Sequence, residues 1–238
     1  MRLFGVILLI ASALASTPRT VPAVDPLPAF PRVVFWAWER PEKMPFLDPK
    51  AAGVAMLGGT IRAGVCHSRM QPLRLPAETP ILVTVRIESA GAALPAVADA
   101  ARCAVSWALM PGTRALQIDF DARVSERGWY RELLTELRRR LPAQVALTMT
   151  ALASWCEQDG WIRDLPVAEA VPMLFRMGPG EVWNRRDFDV PVCRTSVGVA
   201  TDELPAKIPS GRRVYFFHPS RWTEDDYHAA WKAVRSYQ

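Results

Sequence analysis

Two stretches in the middle of the chain alternate apolar and polar positions with period two. In Ile81–Glu88, Ile81, Val83, Val85 and Ile87 share one face, and Leu82, Thr84, Arg86 and Glu88 share the other. In residues 116–121, Leu116, Ile118 and Phe120 alternate with Gln117, Asp119 and Asp121. That period predicts β-strands. Apolar runs predict further strands at 33–38, 54–57, 61–65, 145–151, 170–175, 192–199 and 214–217, with Gly58-Gly59 as a hairpin turn between the second and third of these. Residues 66–80 show no periodicity and read as a loop. Helical spacing predicts helices at 94–109, ended by Pro111-Gly112, and at 129–141, closed by Pro142. A closing helix runs from a Thr223 cap to Val234, with Glu224, Asp225 and Asp226 in its first turn. Shorter helices are expected after Asp48-Pro49, stopped by Gly53, and from Ser154 to Arg163.

About eight strands with helices between many of them imply an α/β fold, a (β/α)8 TIM-type barrel. It is irregular, because full helices are missing after the second strand and around 177–213, where loops replace them. A doubly wound sheet is the other topology with this alternation, but no Gly-rich phosphate turn follows any strand. Strands covered on both faces normally read as unbroken apolar runs. Two carboxylates facing a covered interior are expensive unless paired, hydrogen-bonded or used. Asp119 and Asp121 therefore become the centre of interest.

The N-terminus changes the picture of where the protein works. Met1-Arg2 is a positive n-region, 3–14 an apolar run, and Ala13-Leu14-Ala15 an A-x-A cleavage site. Residues 1–15 are expected to be a signal peptide too short to remain as a membrane anchor, which makes the protein periplasmic or secreted. Pro18, Pro22, Pro26, Pro28 and Pro31 make 16–31 a proline-rich lead, expected to be extended and poorly ordered. Residues 32–238 form the single barrel domain. Export puts Cys66, Cys103, Cys156 and Cys193 in an oxidising setting; four cysteines allow three pairings, a single disulfide and none are both open, and no C-x-x-C pair suggests zinc. The net charge of +5 comes from scattered arginines, so it supports solubility and no nucleic-acid footprint. No cofactor or metal is expected, and a monomer is.

Barrel active sites lie where strands end, at the C-terminal face. The candidates there are Asp121, Asp119, Glu39 and Glu88 for catalysis, and Trp38, Arg86, Thr150, Trp155, Arg176 and His218 for substrate. Neighbouring strands place Arg86 beside Asp119 as the partner that keeps it ionised. Asp121 lies about 6.6 Å further along its strand, nearer the mouth.

Ile118-Asp119-Phe120-Asp121 resembles the strand-four core of chitinase-type glycoside hydrolases, whose pattern is D-x-x-D-x-D-x-E on a (β/α)8 barrel. Only the middle two aspartates match: Leu116 stands at the first aspartate, and Arg123 at the catalytic glutamate. An arginine cannot donate a proton at neutral pH; Glu126, three residues on, is a conceivable substitute. The runs 34–40, 117–122, 150–156 and 171–178 resemble an exported bacterial family catalogued as domain of unknown function family 3142, over roughly 32–220. That resemblance implies an exported barrel with no activity attached. Two functions follow: a glycoside hydrolase-like enzyme on cell-wall or exopolysaccharide material, using Asp121 with Glu39 or Glu88, or a non-catalytic barrel that binds a glycan, a peptide or another small polar ligand in the same mouth. A metal hydrolase on Asp119, Asp121 and His218 is a third, without ligand spacing.

Overall fold

The computed structural model describes residues 25–89, 93–178, 183–184 and 187–237. The expected signal peptide and the first part of the proline-rich lead lie outside them. In chain order the elements are β1 (Val33–Ala37), β2 (Glu42–Lys43), β3 (Ala52–Arg62), β4 (Val65–Ser68), β5 (Leu73–Arg74), β6 (Ile81–Glu88), α1 (Val97–Ala108), β7 (Thr113–Asp119), α2 (Arg127–Arg140), β8 (Ala146–Leu152), β9 (Glu169–Met173), β10 (Ser196–Ala200), β11 (Arg213–Phe217) and α3 (Glu224–Tyr237). Strands β1, β3, β6, β7, β8, β9, β10 and β11 pair in parallel, and β1 bonds to both β11 and β3, so the barrel closes. The α/β barrel expected from the alternation is the fold. Among the described residues three full helices cover its outside, and short turns (a π turn at Trp155–Asp159 and a 3₁₀ turn at Pro191–Cys193) stand in for others.

The register separates two cores. Outward residues such as Val83, Val85, Leu116, Ile118, Leu147 and Met149 pack under α1 and α2. Inward ones pair across neighbours as Trp36 with Ala55, Thr84 with Gln117, and Arg86 with Asp119. Alanines at 55 and 115 and Gly198 leave room for Trp36 and Tyr215; a Cβ on Gly198 would meet the Met173 sulfur at 2.8 Å.

Several local expectations change. Gly58-Gly59 is no turn: β3 runs through it with a bulge, and the missing side chains make room for Trp107 of α1. The hairpin turn comes later, at Ala63-Gly64, both with positive φ as a two-residue type I′ loop requires. The expected loop 66–80 holds β4, antiparallel to β3, and β5, which pairs with β2. Asp48-Pro49 opens only a turn, with Asp48 accepting from the Lys50 amide, and the helix expected from Ser154 is the single π turn.

The described end of the lead is packed rather than loose. Leu27 and Phe30 are buried against Val34, Leu82, Ala115 and Tyr215, closing the N-terminal end of the barrel. Arg213, 1% exposed, holds that plug: it donates to Asp25, to the Leu27 and Pro31 carbonyls, and to Glu169 at 2.7 Å. Glu169 also accepts from Tyr215 at 2.7 Å and Thr195 at 3.2 Å; burial pushes its carboxyl up while these partners pull it back. Two disulfides tie the periphery: Cys66–Cys103 joins β4 to α1, and Cys156–Cys193 joins the π turn to the 3₁₀ turn. Each spans a sequence separation of 37, for which chain-entropy loss in the unfolded state is worth about 4 kcal/mol.

Candidate active site at the barrel mouth

At the C-terminal end of the barrel the inward positions of six strands converge on a cavity of about 550 Å³. Its lining includes Trp36, Trp38, Arg86, Glu88, Asp119, Asp121, Met173, Phe175, Arg176 and Phe217.

Asp119 is its deepest acid. Its Oδ2 accepts from Arg86 Nη1 at 2.6 Å and its Oδ1 from Thr150 Oγ1 at 2.8 Å, from the strands on either side. Both oxygens are thereby occupied, and the expected Arg86–Asp119 pair is present. Burial alone would lower the Arg86 pKa, but Asp119, Asp121 and Glu88 more than offset it and raise it. Arg86 also lies over the Trp38 ring, 5.6 Å from its centre.

Asp121 is differently placed. Phe120 between the two aspartates points outward and packs edge-on against Trp129 and Tyr130 of α2, with centroids 5.8 and 5.2 Å away. That anchor continues the alternation past the end of β7 and aims Asp121 at the cavity. Among the described residues none donates a hydrogen bond to its carboxylate. Crowding by the cavity wall raises its pKa, the Asp119 charge raises it further, and Arg86 partly offsets both. It nevertheless remains open to solvent.

Glu88 has the opposite environment. It accepts from Arg62 at 2.6 Å and from Arg86 at 3.4 Å, and chiefly the Arg62 hydrogen bond holds its carboxyl below the usual range. The cavity thus holds two acids whose surroundings shift them in opposite directions, Asp121 upward and Glu88 downward.

An aromatic wall faces the acids. Phe217 stacks on Phe175 with centroids 5.6 Å apart, and Trp38 and Trp36 meet it edge-on at 6.3 and 6.4 Å. Arg176 completes the rim in a left-handed conformation, φ 54°, which a non-glycine residue adopts only when held there. Glu203 holds it, accepting from its backbone N–H and its guanidinium, and Asp202 accepts a further hydrogen bond at 2.7 Å.

The other expected residues lie elsewhere. Glu39 is exposed and accepts from the Met70 and Gln71 amides at 3.2 Å, fastening a loop instead of facing the cavity. Trp155 is 3% exposed in the outer core, edge-on to Trp161, so it offers no face to a ligand. His218 stacks on Trp222 and bonds Thr201 at 2.5 Å and Ser220 at 2.8 Å, with Asp226 3.4 Å away; it is a packed imidazole outside the cavity lining. Thr150 acts through Asp119. Glu126 folds back onto the Arg123 backbone N–H at 2.7 Å, capping the turn before α2. Among the described residues no three His, Cys, Asp or Glu side chains group as metal ligands would.

The sequence reading missed Met173, Phe175 and Phe217. The signal was the same alternation: Val171, Met173 and Phe175, and Tyr215 and Phe217, continue the inward sets of β9 and β11. It also missed Glu169 and Arg213, lone charges whose partner cannot be read from spacing. Neither the family models nor the curated proteins compared with this chain match it.

Proposed function

We propose that the protein is a carbohydrate-active barrel, glycoside hydrolase-like, with Asp121 as the proton donor at its mouth and cell-wall or exopolysaccharide material as its ligand. One observation carries the reading: Asp121 and Glu88 share one cavity while their surroundings push their pKa values apart. Such a split is how paired carboxyls divide acid and base roles in glycoside cleavage. Asp121 would protonate the leaving oxygen, and Glu88, kept ionised by Arg62 and Arg86, would stabilise positive charge on the sugar or activate water. The Trp38, Phe217 and Phe175 rings suit the apolar faces of sugar rings. Two disulfides fit an oxidising location outside the cytoplasm, as does the resemblance to an exported family.

A second reading, a glycan-binding barrel without turnover, rests on Arg123 and Glu126: the first cannot supply a proton and the second is engaged as a cap. Turnover of peptidoglycan and bacterial exopolysaccharides separates the two. Wild type is expected to release reducing ends, and Asp121→Asn to slow this about 100-fold or more, the usual contribution of general acid catalysis. Equal rates would remove Asp121 from the mechanism. Binding with no turnover by either protein would establish the second reading.

A further inference from the structure

A second cavity of about 450 Å³ adjoins the mouth on the β8–β9 side. It shares Leu152, Met173, Phe175 and Arg176 with the first, so the two are one cleft divided by a common wall. Phe175 has one ring face against Phe217, which leaves the opposite face for the second cavity. Beyond it lie Met177 and Trp183, and the polar lining is Ser154 and Asn184, both exposed, with the carboxylate of Glu157. Trp183 is 6% exposed, and among the described residues its buried ring N–H has no acceptor. Apolar ring faces with hydroxyl, amide and carboxylate groups around them match a sugar ring and its hydroxyls, which donate to carboxylates as well as to neutral acceptors.

We propose that the cleft holds at least two sugar units in succession, one at Asp121 against Trp38 and Phe217 and the next over Phe175 in the second cavity. The ligand is then a polysaccharide bound along its length rather than a free monosaccharide. This rests on the carbohydrate reading above. The strained, clamped Arg176 stands at the junction, where a chain crosses from one cavity to the other.

The test is calorimetric titration of the full protein with β-1,4-linked glucose, N-acetylglucosamine and glucosamine, each as one to six units. In at least one series the affinity is expected to rise about ten-fold or more as the chain lengthens, about 1.4 kcal/mol or more by the conversion of affinity to free energy. Ser154→Trp and Met177→Trp each fill the second cavity from a different wall. Either one, with native circular dichroism, is expected to keep single-unit affinity and lose the rise. Equal affinity at every length, or a rise that survives both substitutions, would overturn the two-unit cleft and leave the carbohydrate reading standing. No binding in any series would overturn both.

Discussion

Removing the Arg86 guanidinium tests the electrostatics of the mouth most directly. In Arg86→Met, Asp119 keeps only the Thr150 hydrogen bond while its side chain stays 10% exposed. Breaking a fully buried pair from one side costs about 3–5 kcal/mol. The Arg86 side chain is 32% exposed, so water reaches the gap and the expected loss is about 2–3 kcal/mol. For a domain of this size that is a fall of roughly 5–10 °C in Tm. The same substitution removes the Arg86 charge, which among the described residues is what lowers the Asp121 pKa, so the Asp121 carboxyl is expected to titrate higher in the variant than in wild type. Urea unfolding at pH 7 reads the first effect. Carbon-13 NMR titration of the aspartate carboxyls, assigned with Asp121→Asn, reads the second. Arg86→Met/Asp119→Asn removes the orphaned charge and is expected to recover much of the loss. A loss below about 0.5 kcal/mol, as for an exposed pair, or an Asp121 midpoint that stays or falls, would refute this account of the mouth.

Two other substitutions follow from the same accounting. The folded protein holds the Asp121 proton more tightly than the unfolded chain does, so stability falls as pH rises above 3.8 through the raised midpoint. Asp121→Asn is therefore expected to be more stable than wild type at pH 7 and equal to it near pH 3; denaturation curves showing a less stable variant at pH 7 would contradict this. At the other end of the barrel, Arg213→Met strands Glu169, 0% exposed, and frees the plug residues Asp25 and Leu27, an expected loss of about 3–5 kcal/mol. Limited proteolysis should then cut near residues 25–31, and an unchanged cleavage pattern would argue against the plug.

What the sequence determined by itself was set by local geometry. In a strand, side chains alternate whatever lies beyond it, so the inward set Leu82, Thr84, Arg86 and Glu88 and the facing set Gln117, Asp119 and Asp121 could be read from spacing. Neighbouring strands then made the Arg86–Asp119 pair legible as well. What tertiary structure decided was everything that depends on a distant partner. Glu39 and Glu88 both follow apolar runs; only the fold gives one to backbone amides and the other to Arg62 and Arg86 at the cavity. Gly58-Gly59 signals freedom of the chain, and only the arrival of Trp107 shows that space was needed there instead of a turn. Trp155 and Trp38 are alike in sequence, but one is sealed under Trp161 and the other lies at the mouth beneath Arg86. Glu169 and Arg213 are 44 residues apart, and no period links them. A buried charge is stable only where its counter-charge arrives, and that arrival is a property of barrel closure.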